Sequence, residues 1–92
     1  MKPIRWNADK SLLLKAERDV SFEEVLSAIS QAGLLGVMDH PNRAKYGHQK
    51  MLVVRIRDYA YLVPYVESEN EIFLKSIMPS RKATRDFLLG GK

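Results

Sequence analysis

Residues 50–68, KMLVVRIRDYAYLVPYVES, constrain the fold more than any other stretch of this chain. Two runs rich in β-branched and aromatic residues flank a short polar link at RDY. Each run alternates with a period of two, the pattern of a strand with one face buried. A link this short folds the second run back on the first as an antiparallel hairpin. Leu52, Val54 and Ile56 of a strand at 50–57, with Leu62 and Val66 of a strand at 59–68, are then expected to face a core. The reverse side would show Arg55, Arg57, Tyr61 and Tyr65. Pro64 cannot donate to a ladder, which predicts a bulge or a locally unpaired position. A third strand is expected at 70–78, NEIFLKSIM, entered through the polar turn ESEN. Its facing is ambiguous, because Ile72, Phe73, Leu74 and Ile77 put apolar side chains on both sides.

An isolated hairpin is marginal in water, so other elements must cover it. PIRWN at 3–7 reads as a short strand. Asn7 is a good helix N-cap, and ADKSLLLKAER follows as a helix with an apolar patch at Leu12, Leu13 and Ala16. Ser21 and Glu24 have capping-box spacing, and Val20 stands where a hydrophobic staple belongs. Phe22, Val25, Leu26 and Ile29 then share one helical face, and Gly33 is the expected stop. Residues 34–50, with Gly36, Pro41 and Gly47, read as mostly irregular, a length more often functional than idle. A last helix runs from Ser80 to about Leu89 and ends at Gly90 and Gly91. The order β-α-α-β-β-β-α predicts an α+β fold: an antiparallel sheet with helices packed on one face. The 92 residues fit one domain, 1–92.

Several function classes drop out. With no cysteine, neither a disulfide framework nor a thiolate metal site can form. This suits a cytoplasmic location. MKPIRWNADK does not read as a signal peptide, and no apolar run approaches the roughly 20 residues that cross a bilayer. No phosphate loop, nucleotide fingerprint, nucleophile elbow or HExxH motif occurs, and no cofactor is expected. Net charge is +4, from 15 Lys and Arg against 11 Asp and Glu. A basic bias of that size suits either nucleic acid or an acidic protein partner.

The placement of the cations is more telling. SRKATRDFLL puts Arg81, Lys82 and Arg85 on the first turns of the last helix. Cations there oppose the helix dipole, so local stability does not ask for them. Arg81 and Arg85 are four apart and share a helical face. With the N–H groups that follow Ser80 they could hold a phosphate; the alternative is a solvated charged face. Arg55, Arg57, Tyr61 and Tyr65, joined by Lys75, would mix guanidinium and ammonium groups for phosphates with rings for unstacked bases. They would equally suit a solvated sheet face or a protein interface. His40 and His48 flank PNRAKYG. Their spacing is poor for zinc and no metal is expected; as general acids or bases they fit better.

Taken in order, IRWNADK, VSFEEV, the strand block and IMPSRKATRDFL resemble the BrnT family, toxin components of bacterial type II toxin–antitoxin systems. That family's pattern opens with an aromatic-Trp-Asp/Asn segment, an Asp-x-x-Lys element and VSFEEA, and closes with ISAR-x-A before a helix. Trp6 and Asn7, Lys10, Val20 to Glu24, and Ser80-Arg81-x-Ala83 match in order, over residues 4 to about 88. The resemblance implies a RelE-like fold and a metal-independent ribonuclease. It also implies a ribbon-helix-helix antitoxin that masks the active face, in a hetero-oligomer; a homodimer is compatible as well. It makes Lys10 and Arg81, with the sheet arginines, candidates to stabilise developing charge, and His40 or His48 candidates to move protons. Where the family commonly shows KHGVSF, this chain has AERDVSF, with Glu17, Arg18 and Asp19 in place of the His. A non-catalytic RNA- or protein-binding module of the same fold is therefore the alternative.

Overall fold

The computed structural model describes residues 2–40, 42–47 and 49–90. The hairpin is its centre. Strands β3 (Gln49–Ile56) and β4 (Tyr59–Glu67) pair antiparallel over their whole length. The link tightens to the two residues Arg57 and Asp58, with φ of 50° and 63°. Positive φ at both central positions is the type I′ geometry, whose twist matches the strands. Neither residue is glycine, so the turn carries local backbone strain.

This turn sets the facing of everything that follows. It pairs Ile56 with Tyr59, so even positions of β3 lie across from odd positions of β4, as Leu52 with Val63 and Val54 with Tyr61, and odd across from even, as Val53 with Leu62. The expected facing of β4 is therefore reversed. Leu62 lies across from Val53, while Tyr61 and Tyr65 share the side of Leu52 and Val54.

Pro64 keeps its register with Met51. On its other side the neighbouring strand is broken. β5 (Ile72–Leu74) pairs with residues 65–67 of β4, and β6 (Met78–Pro79) with residues 61 and 62. Pro64 falls in the gap, where its carbonyl accepts from Lys75 N–H at 2.8 Å and no partner needs the N–H it lacks. Hence the strand expected at 70–78 is two pieces. Between them Ile77 turns fully into the core, and its carbonyl accepts from Arg18 Nη1 at 2.6 Å.

Residues 34–40 and 42–47 hold more regular structure than expected. Strand β2 (Leu34–Asp39) pairs antiparallel with β3, with an irregularity between Leu34 and Gly36, and a four-residue helix α3 (Arg43–Tyr46) follows. Gly36 misleads a propensity reading. It is there for close approach, since a Cβ would lie 3.1 Å from the Phe87 ring. The sheet runs β1-β5-β4-β3-β2, with β6 also on β4; only β1 (Ile4–Arg5) is parallel to its neighbour, β5.

Helices α1 (Ala8–Arg18) and α2 (Phe22–Ser30) have the predicted caps. Asn7 Oδ1 accepts from Lys10 N–H, and Ser21 with Glu24 closes the full capping box. Gly33 does not stop α2 through a left-handed turn. Ala32 takes that conformation (φ 64°), and Gly33 is needed because a Cβ would lie 2.7 Å from Ala28 O. Leu14, Val20, Phe22 and Val25 pack on Leu52, Val54, Val63 and Tyr65 as the main core. Leu14, not Leu12 or Leu13, is the buried apolar residue of α1; Ser11 is buried beside it. A smaller cluster of Val53, Ala60 and Ala83, with Leu35, Leu62 and Leu88, seats helix α4 (Arg81–Leu88) against the reverse pleat of the hairpin. The α+β class thus stands as the element order predicted.

Candidate nucleic-acid interface

The start of α4 is built as a fixed platform. Ser80 N–H donates to Ala60 O at 3.0 Å. Thr84 Oγ1 accepts from Ala60 N–H at 2.9 Å and donates to Ser80 O at 2.8 Å. Ser80 Oγ caps the helix by accepting from Ala83 N–H at 3.0 Å. Thr84 and Ala60 are buried, so these bonds are shielded from water and hold the first turn to β4. Arg81 and Lys82 project from that turn, exposed. Lys82 does not simply point away, as its helical position suggests. With Asp39, Asp86 and Ser80 it rims a groove of about 420 Å³ floored by Met51, Leu62 and Ala83.

At the β5 edge, Lys10 and Lys75 line one cleft with Asn7, Asp9 and Phe73. Lys75 Nζ lies 5.3 Å from the centroid of the Phe73 ring, within cation–π range. Phe73 is a residue that sequence reasoning passed over. Its spacing of two from Lys75 was the available signal, obscured by an apolar run on both sides.

The other candidate cations are already engaged. Arg57 is ion-paired with Glu24, and its Nη2 donates to Asp19 O at 2.6 Å. Burial works to raise the Glu24 carboxyl, but hydrogen bonds from Arg57 and Lys15 outweigh it and hold the group below its ordinary value. Arg55 reaches Asp58 at 3.9 Å and Arg85 reaches Asp86 at 3.5 Å. Among the described residues Lys10, Lys75, Arg81 and Lys82 make no ion pair with a carboxylate. Three of these four fall within residues 75–82, along the side of β4 where β5 and β6 pair, and Lys10 faces the first of them.

The expected basic and aromatic sheet face does not form. Tyr65 is 7% exposed and belongs to the main core, where burial pushes its hydroxyl pKa up. Tyr61 is half-buried against the same core, beside Tyr59. Arg55 lies across from Ala60, on the opposite pleat. The reversed facing of β4 is the cause.

His40 closes β2, and its Nδ1 accepts from Asn42 N–H at 3.1 Å. His48 lies outside the described residues. β2 and β5 are separated by β3 and β4, about 14 Å of sheet, so His40 and Lys10 do not share a site. Asp39, next to His40, does share the α4 groove with Ser80 and Lys82. Among the described residues no helix is long and apolar enough to cross a membrane.

No family model, curated protein or solved structure matches the chain.

Proposed function

We propose that this chain is the toxin of a bacterial type II toxin–antitoxin pair. On this reading it is a metal-independent ribonuclease of the cytoplasm that cleaves RNA, arrests growth, and is neutralised by a cognate ribbon-helix-helix antitoxin. The ordered motif resemblance suggests the reading. The observation that carries it is a set of cations that make no ion pair among the described residues: Lys10 and Lys75 in one cleft, and Arg81 and Lys82 at the start of α4. Desolvated phosphate contacts need cations that are not already paired within the fold.

Metal-free cleavage needs a base for the 2′-OH, an acid for the leaving oxygen, and positive charge beside the phosphorane oxygens. We assign that charge to Arg81, held in place by the Ser80–Thr84–Ala60 bonds, and proton transfer to a histidine of the 40–48 region. Lys10 and Lys75 stand too far from His40 to join that step. They hold the RNA backbone further along, with Phe73 as a stacking surface.

One observation favours the alternative, a binding module that cleaves nothing. The residues standing in place of the family His are used structurally. Arg18 holds the Ile77 carbonyl, and Asp19 caps α1 at φ 58° and pairs with Lys15. The deciding experiment is induced expression in a bacterial host, wild type beside Arg81→Ala, together with purified protein and RNA in EDTA. Growth arrest with RNA loss, relieved by the substitution, supports the nuclease. Normal growth with intact RNA at confirmed soluble expression moves the reading to the binding module.

A further inference from the structure

We propose that the groove between α4 and β2 is a guanine pocket, where Asp86 accepts from the N1–H and the N2 amino group of one unstacked guanine of single-stranded RNA. The inference rests on the RNA-binding part of the proposed reading and needs no cleavage. Strand pairing gives the groove two unlike ends. Gly36 of β2 pairs with Val53 of β3, and Val53 with Leu62 of β4. Helix α4 crosses these three strands: Ser80 N–H bonds Ala60 O on β4, and the Phe87 ring lies against Gly36 on β2. The groove follows that crossing, over Met51, Leu62 and Ala83. Ser80 and Lys82 stand at its β4 end, next to Arg81 in the chain. Asp86 and Phe87 stand at its β2 end, with Met38 and Asp39. Two strand spacings, about 10 Å, separate the ends.

That order of charge, apolar floor and carboxylate is complementary to a nucleotide. The phosphate is anionic, and Lys82 makes no ion pair among the described residues. The base is apolar on its faces and polar on its edge. Phe87 is 42% exposed, which leaves ring surface for stacking. A ligand apolar throughout would strip water from Lys82 and Asp86 and return no hydrogen bond.

The carboxylate selects the base. An ionised carboxylate accepts and cannot donate. Guanine alone presents two adjacent donors on its Watson–Crick edge, the edge read on unstacked bases. Adenine and cytosine set one amino group beside a bare ring nitrogen, whose lone pair repels the second oxygen. Uracil has one N–H between two carbonyls. Asp86 Oδ1 meets Arg85 Nε at 3.5 Å, which leaves lone pairs on both oxygens. Asp86 and Phe87 lie on one turn of α4, so the same turn meets the edge and the face of one base.

The test is fluorescence anisotropy of the full chain with uridine-tract RNAs that carry one guanosine, inosine or adenosine. The RNAs are 2′-fluoro throughout, which removes the attacking hydroxyl and keeps binding separate from cleavage. Inosine lacks only the N2 amino group. Guanosine should bind about tenfold tighter than inosine, the value of one hydrogen bond to a charged group, and tighter still than adenosine. Asp86→Asn should bring guanosine and inosine within about twofold, with an unchanged circular dichroism spectrum. Phe87→Leu keeps an apolar side chain against Gly36. It should weaken all three RNAs about tenfold and leave the preference for guanosine, which a merely structural role would not do. Equal binding of guanosine and inosine, a preference that survives Asp86→Asn, or one lost in Asp39→Asn but not in Asp86→Asn would each overturn the pocket while RNA binding stands. No binding to any of the RNAs would overturn the pocket and the RNA reading together. A guanosine preference that depends on Asp86, in a protein that cuts nothing, supports the pocket and removes only the nuclease.

Discussion

Two groups of charges in this protein contain the same residue types and behave differently. At the α1–α2 corner, Lys15, Asp19, Glu24 and Arg57 satisfy one another. Lys15 Nζ lies 3.3 Å from Asp19 and 3.1 Å from Glu24, and Arg57 closes the group from the hairpin turn. Glu24 also caps α2 by accepting from Ser21 N–H at 2.9 Å. Along β5, β6 and α4, by contrast, Lys75, Arg81 and Lys82 make no ion pair among the described residues, although Asp39 and Asp86 rim the same groove as Lys82. The first group joins elements distant in sequence. The second contributes little to holding the chain together, and on the proposed reading its anion is the RNA backbone. Whether a cation glues or binds is decided by which carboxylates the fold brings within about 4 Å, not by its residue type.

Substitutions should separate the two groups, and the largest effect is expected at Arg81. Arg81→Ala should lower RNA cleavage about 100-fold, as losing one charge-stabilising donor does elsewhere, while the melting temperature stays put. A large fall in melting temperature would instead place Arg81 in the structural group. Glu24→Ala should show the opposite profile. It removes a helix cap and two ion pairs, a loss of about 2 kcal/mol, read as a drop of roughly 8–16 °C in a chain of this size. RNA binding by the folded variant should be unchanged.

Acid titration sharpens the same contrast. The carboxyls of Glu23, Glu24 and Glu67 all sit below their ordinary value of 4.5. For Glu23 the main cause is the hydrogen bond from Ser11, and for Glu67 the one from Lys2. A lowered folded-state pKa adds stability above the unfolded value and loses it as pH falls through the folded one. Stability is therefore expected to be level near neutrality and to fall below pH 4.5. Glu24→Gln should flatten that fall, measured by urea unfolding at stepped pH. A smaller effect is expected at Lys75, where alanine should weaken RNA binding equally across sequences and reduce the salt slope by about one. Arg85→Ala, already paired with Asp86, should change binding least.

Much of the fold was legible in the sequence because its cues are local. Asn7, Ser21 with Glu24, and Ser80 each name a helix start through side chains that bond N–H groups two or three residues away. The hairpin was legible from its alternation and its short link; Pro64 neither bulges nor leaves its register with Met51, and the break it signals lies in the strand beside it, between β5 and β6. The facing of β4 was not legible. It depends on whether the turn holds two residues or three, and one residue moves every side chain to the other face. Arg57 and Asp58 take positive φ without the glycine or asparagine that usually announces it. That one turn buried Tyr65 and separated Arg55 from Tyr61. Strand β2 was missed because Gly36 argues against a strand until Phe87, 51 positions later, is seen beneath it.

The sequence by itself determined the class of the fold, the starts of α1, α2 and α4, and the cations at the start of α4, since each rests on spacing within a turn or two of chain. Only the tertiary structure decided which cations are engaged. Glu24 meets Arg57 across 33 residues, Arg18 meets Ile77 across 59, and Lys10 shares a cleft with Lys75. Contacts at that separation are fixed by how the helices and the sheet pack, and packing is a property of the whole chain that no local pattern encodes.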